Sequence, residues 1–171
     1  MIIVAQIVGI AAVALYMLSF QLKKRRDIVI ATCLSNCLYV LQYLLLGAFS
    51  GAALDALSTV SSFCASKKNG PRFKKYAKWV AFTLIAAIIA VGTALAVYQR
   101  DWIELLPIAG AAFQTGGLWF DREQTIRKFA LAGAPFWLVY NAASKAYGPA
   151  LGSAFIIVSI IVSLVRYRKK K

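Results

Sequence analysis

The chain contains no histidine, and only six of its 171 residues are Asp or Glu. Without imidazole, and with so few carboxylates, there is little from which to build a metal site or a general acid–base pair. The sequence therefore points away from an enzyme, from a resident cofactor and from a metal centre. Cysteine is scarce as well. Cys33, Cys37 and Cys64 lie inside apolar runs, and Cys33 and Cys37 fall four apart on one helix, so a disulfide framework is excluded. They read as small apolar fillers. Charge is thin at 15%, whereas 61% of the residues are hydrophobic. A soluble domain carries about 25% charged and about 45–50% apolar residues. An excess of this size needs a solvent other than water.

The net charge of +14 would suit a nucleic-acid binder, but its distribution does not. The basic residues form short clusters between apolar runs and make no stripe interleaved with aromatics. The expected partner is a lipid bilayer, with no nucleic acid. The first apolar run is followed by its basic cluster instead of being preceded by one, and no small-residue cleavage site closes it, so it reads as a retained span and not a signal peptide.

A membrane-spanning helix needs about 20 mostly apolar residues. Ile2–Phe20, Ile28–Leu46, Trp79–Tyr98 and Pro149–Val165 qualify directly. Phe129–Ala146 qualifies despite Pro135, Asn141 and Lys145. Two stretches are weaker. Ala52–Ser66 is short and holds Asp55, and Ile103–Phe120 holds Pro107, Gln114 and the pair Gly116-Gly117. Basic residues accumulate on the cytoplasmic side of short loops. With all seven spans, eighteen of the twenty Lys and Arg fall on one side: Lys23 to Arg26, the six between Lys67 and Lys78, Arg122 with Arg127 and Lys128, and the tail Arg166, Arg168 and Lys169 to Lys171. Only Arg100 and Lys145 fall opposite, and omitting either weak span scatters the clusters over both faces. The sequence thus predicts an all-α protein of seven spans, N-terminus outside and C-terminus cytoplasmic. Trp79, Tyr98, Trp102 and Trp119, near span ends, suit interfacial anchoring.

Sliding the chain by 101 positions lays residues 2–70 on 103–171 and makes 13 of 69 pairs identical. Among them are Gly9/Gly110, Arg26/Arg127, Tyr39/Tyr140, Gly47/Gly148, Ser58/Ser159 and Ser62/Ser163. The predicted organisation is a three-helix repeat over 1–66, a basic loop and linker helix over 67–100, and a second repeat with a basic tail over 101–171. An odd linker gives both triplets the same direction, the parallel-repeat layout of the SWEET sugar carriers, whose substrate site lies near the midplane between the halves.

Polar groups inside a span tend to face the bundle interior. At about 100° per residue, Thr32, Ser35, Asn36, Tyr39, Gln42 and Tyr43 share one arc of the second span, and Trp137, Tyr140, Asn141 and Ser144 one arc of the sixth. Asp55, Ser58, Thr59, Ser62 and Ser66 share a face of the third, matched by Gly152, Ser159 and Ser163 on the seventh. Amides and hydroxyls suit a neutral polar solute and aromatic rings a planar one. The candidate solute-binding residues are Asn36, Tyr39, Gln42, Ser58, Gln114, Trp137, Tyr140 and Asn141. Single serines read more naturally as glue between helices. Asp55, near the outer boundary, reads as a vestibule charge, with ion coupling as the alternative. Glu104 and Lys145 lie near the same surface and are expected to pair. Pro107 and Pro135 are expected to weaken the backbone ladders of the fifth and sixth spans and permit bends.

The run Glu104–Gly110, then Trp119, then Trp137–Asn141 with Gly148 and Gly152-Ser153, resembles the bacterial inner membrane protein family named after YgjV. Leu41–Gly47 and Gly51–Ala56 extend the likeness more loosely over the first half. The resemblance implies a small multi-pass protein of the inner membrane with the general span layout of SWEET, PQ-loop and PnuC carriers. Where that family can carry histidines, this chain has Gln42 and Tyr140, so no histidine relay is implied. The first triplet also lacks the SWEET prolines and any Pro-Gln pair. The reading that follows is a carrier of a small polar or aromatic solute, working by alternating access and possible as a homo-oligomer. The alternatives are a non-transporting seven-span receptor and a structural subunit of a membrane complex.

Overall fold

A computed structural model describes residues 2–47, 49–143 and 147–168. Each of the seven expected segments is helical: α1 Ile2–Gln21, α2 Arg25–Leu46, α3 Phe49–Lys67, α4 Ala77–Gln99, α5 Leu105–Gly117, α6 Glu123–Ala143 and α7 Tyr147–Arg166. Among the described residues, α1, α2, α4 and α7 are long and apolar enough to cross a membrane.

Helix ends follow local chemistry. Helix α2 begins inside the basic cluster, with Asp27 in its first turn where the helix dipole favours an acid. It stops at Gly47, whose φ of 71° suits glycine and whose N–H bonds back to Tyr43 and Leu44. Helix α5 is shorter than expected. A 3-10 turn over Trp102–Glu104, capped by the Asp101 carboxylate accepting from the Ile103 N–H at 2.9 Å, precedes it, and Gly116-Gly117 ends it. Pro107 lies in the first turn of α5, where its missing N–H leaves no gap, so it weakens nothing. Pro135 lies inside α6, as expected.

Helix α2 packs between α1 and α3, and α6 between α5 and α7. The two triplets meet along two seams, α1 on α7 and α3 on α5, while α4 touches α3 and α5 from outside. One apolar core joins Tyr16 and Phe20 of α1 to Ala130 and Ala134 of α6 and to Ile156 and Ile160 of α7. A second joins Ile28 and Val29 of α2 to Ala65 of α3, with Leu118 and Ile126. A third joins Leu54, Ile88 and Ala111 of α3, α4 and α5. Helices α5 and α6 bring their backbones close together: a Cβ on Gly133 would sit 2.7 Å from the Gly110 carbonyl oxygen. Trp79, Tyr98 and Trp102 are exposed at helix ends, but Trp119 turns inward and donates from Nε1 to Ser61 Oγ at 2.9 Å.

Candidate functional site

Where the triplets meet, five helices enclose a small polar cavity. Tyr16 enters from α1, Thr32 and Asn36 from α2, and Asp55 and Ser58 from α3. Gln114 and Thr115 enter from α5 and Trp137 from α6, with Ala111 and Leu118 filling between them. The volume is about 20 Å³. A water needs roughly 10–15 Å³ of such space, so this conformation holds about one water and no solute.

One group here lacks the partner that burial normally demands, and a half-buried carboxylate beside it faces no cation. The Trp137 Nε1–H is buried and meets no acceptor. Among the described residues no Lys or Arg lies within ion-pair distance of Asp55. Two lining hydroxyls are paired: Thr115 donates to Ser58 Oγ at 3.2 Å, and Thr32 to Ser19 Oγ at 3.4 Å. Trp137 fits only because residue 110 is glycine; a Cβ there would lie 2.6 Å from its Nε1.

Of the residues anticipated from sequence, Asn36, Asp55, Ser58, Gln114 and Trp137 line this cavity, and Tyr39, Gln42, Tyr140 and Asn141 do not. The Gln42 amide lies over Gly9. Tyr39 and Tyr43 stack with ring centroids 6.3 Å apart. The Tyr140 hydroxyl donates to Glu104 at 2.9 Å, and the Asn141 amide to Ser153 Oγ at 3.1 Å. These groups lie one to two helical turns beyond the cavity, away from the basic end. Ser144, Lys145 and Lys169 to Lys171 lie outside the described residues. Tyr16 and Thr115 were not anticipated. Tyr16 interrupts an otherwise apolar run, a signal available in the sequence, and Thr115 directly follows the anticipated Gln114.

At the basic end the triplets are tied by arginines. Arg127, only 1% exposed, reaches from α6 to the C-terminal end of α1, donating to the carbonyls of Phe20 at 3.1 Å and Leu22 at 2.7 Å. Its guanidinium lies 4.6 Å from the Tyr167 ring centroid. Arg25 reaches from α2 to the end of α5, donating to the carbonyls of Leu118 and Phe120, both at 2.7 Å, and to Ala65 of α3 at 3.0 Å. Each middle helix thus caps the first helix of the opposite triplet, where a cation is favoured by the helix dipole. The offset pairs Arg127 with Arg26, but Arg26 is exposed and Arg25 makes the equivalent contacts. Lys68 adds a salt bridge to Asp121 at 2.8 Å and donates to the Trp119 carbonyl. The Lys68 hydrogen bond holds the Asp121 carboxyl below the usual carboxylate range.

A family described as Imp-YgjV, bacterial inner membrane protein, matches residues 3–171. No curated protein and no solved structure matches. The family and the apolar helices together make this a multi-pass protein of the inner membrane. The chain belongs to the Imp-YgjV family of bacterial inner membrane proteins.

Proposed function

We propose that the protein is a carrier of a small polar or aromatic solute, cycling by alternating access about the cavity between its triplets. All seven helices span the membrane, with the N-terminus outside and the basic end cytoplasmic. Residues 1–66 and 101–171 form parallel halves, joined over 67–100. The helix contacts support this arrangement, because exchanging the halves turns the α1–α7 seam into the α5–α3 seam. So do Ser58 and Ser159, paired by the offset. Ser58 accepts from Thr115 of α5, and Ser159 donates to the Met17 carbonyl of α1 at 3.0 Å, so each meets the first helix of the opposite half.

The observation that carries the functional reading is the buried Trp137 indole N–H without an acceptor, set beside the half-buried Asp55 carboxylate without a cation. A buried donor without an acceptor costs about 1–3 kcal/mol. A solute that accepts from Trp137 and meets Asp55 recovers that cost. The conformation described is an occluded one, closed by the arginines at the basic end and by the tyrosine layer at the other. Asp55, in the cavity wall, is then placed to act as the coupling group, the alternative to a vestibule charge. No catalytic step is assigned.

The test is a thermal-shift screen of small solutes on purified protein, since a ligand stabilises the fold according to its occupancy. A hit whose stabilisation falls at least tenfold in Trp137→Phe, with the unliganded melting temperature unchanged or raised, supports the reading. A hit indifferent to both Trp137→Phe and Asp55→Asn overturns the site. The cavity's size favours a second reading, a structural subunit packed solid at its centre. In that case a cysteine at Asn36 stays closed to water-soluble reagents under every condition, whereas in a carrier it becomes reactive when the arginine contacts that latch the basic end are weakened.

A further inference from the structure

Helix α4 buries only Ile88, Gly92 and Ala96, all in its second half. There it is pressed against α5, and a Cβ on Gly92 would lie 2.5 Å from Ile108. Its first half buries nothing, and Trp79 and Phe82 are 73% and 69% exposed. The helix therefore leans away from the bundle towards the basic end. A cleft of about 450 Å³ opens between it and α5–α6, within the ~300–1,000 Å³ of ligand sites. Ile85, Ala112, Phe113, Gly116, Phe120 and Phe129 supply most of its wall, and among the described residues no charged side chain lines it. Phe113, Phe120 and Phe129 form a continuous aromatic face, with Phe120 and Phe129 centroids 4.7 Å apart.

The mouth of this cleft is positive. Lys78 is exposed on α4, two turns before Ile85 and on the same helix face. Arg122 follows Phe120 by two residues, Lys128 directly precedes Phe129, and both are exposed. The nearby acids are already engaged: Asp121 with Lys68, and Glu123 with the Arg25 backbone N–H at 3.3 Å. Among the described residues Lys78, Arg122 and Lys128 have no acidic partner. Basic pockets between membrane helices are the recognised setting for anionic lipid head groups.

We infer that this cleft binds one anionic phospholipid, its acyl chain against the aromatic face of α5–α6 and its phosphate among Lys78, Arg122 and Lys128. The apolar wall suits hydrocarbon, and the head group meets exposed charges that have no acidic partner among the described residues. The site is independent of the carrier cavity, and its occupancy ties α4 to the second half.

The test is a titration of the full chain in neutral detergent with phosphatidylglycerol or phosphatidylcholine of identical chains, read by native mass spectrometry and melting temperature. The expected result is one saturable phosphatidylglycerol, bound at least tenfold tighter than phosphatidylcholine. Lys78→Gln, Arg122→Gln and Lys128→Gln each weaken it roughly fivefold, and together erase the preference. Ala112→Phe fills the cleft and abolishes binding of both lipids; Gly116→Leu serves the same purpose if Ala112→Phe does not fold. Equal binding of the two lipids overturns the inference, as does undiminished phosphatidylglycerol binding in the filled cleft. A self-association that the filling variant abolishes while lipid binding persists assigns the cleft to a second copy of the chain, and likewise overturns it.

Discussion

Replacing Arg127 by alanine tests the idea that opposite-half arginines hold the basic end closed. The guanidinium makes two charge-assisted hydrogen bonds to backbone carbonyls and one stacking contact with Tyr167. Each such hydrogen bond contributes about 1.5–3 kcal/mol, and the cation–π contact about 0.5–2 kcal/mol. The desolvation of a buried guanidinium offsets part of that sum, and water reaching the freed carbonyls at a helix end recovers more, leaving a net loss of about 3 kcal/mol. Arg127→Lys keeps the charge but offers a point donor in place of a fork, and regains about half. Arg25→Ala frees three carbonyls from a half-buried side chain and costs about 2 kcal/mol. Arg26→Ala, at the position that sequence pairs with Arg127, stays within about 0.5 kcal/mol because it is exposed. Denaturant unfolding in detergent, followed by tryptophan fluorescence, measures all four. Equal costs for Arg25→Ala and Arg26→Ala, or a near-neutral Arg127→Ala, would refute the reasoning. In the carrier reading, about 3 kcal/mol removed from the closed end also shifts the open-to-closed ratio about a hundredfold. Cysteine labelling at Asn36 reports that shift directly.

Gly133→Ala forces a Cβ to within 2.7 Å of the Gly110 carbonyl and should lower stability by about 1–3 kcal/mol, whereas Gly47→Ala, with open space around it, loses only the backbone preference of about 1 kcal/mol; thermal melts compare them. Asp55→Asn, in proteoliposomes with an identified solute, should leave exchange intact and abolish accumulation against a gradient. Unchanged accumulation would return Asp55 to a vestibule role. Lowering pH should loosen the Lys68–Asp121 contact. The Asp121 carboxyl titrates below its unfolded value, so its stabilisation is present above about pH 4 and is lost as pH falls through the folded value. Asp121 is 74% exposed on its side chain, so the pH-dependent change between wild type and Asp121→Asn should stay under about 1 kcal/mol.

Hydropathy and loop charge were enough to mark seven helical segments, because both are summed over many residues and survive local irregularity. The limits of those segments were less legible. Helix α2 starts at Arg25 and not Ile28 because a charged side chain that caps a neighbouring helix is welcome in a first turn, which hydropathy scores as loop. The 3-10 turn at Trp102 rests on the single Asp101 cap, a signal one residue wide. At the cavity, the wheels selected Asn36, Asp55, Ser58 and Trp137 because a polar face within lipid has few uses. They also selected Tyr140 and Asn141, whose partners Glu104 and Ser153 are local and lie on other helices. A wheel reports which way a side chain points but not what it meets. The arginine latch was invisible for a related reason: Arg25 and Arg127 stood among eighteen cations whose clustering had already been explained by topology.

Helices α1, α2, α4 and α7 are each apolar enough to leave a translocation channel for lipid unaided. The other three are not, and on the seven-span reading their entry depends on company. Helix α3 follows α2 closely and is followed by α4, the least buried of the seven, which can retain it. Helices α5 and α6 emerge consecutively with polar faces, and the Gly110–Gly133 contact lets their backbones close on each other before α7 is made. Shielded as a hairpin, they can wait at the channel until α7 is synthesised. Biogenesis then proceeds in two batches, one per triplet, and a chain truncated before α7 strands its second half at the membrane surface.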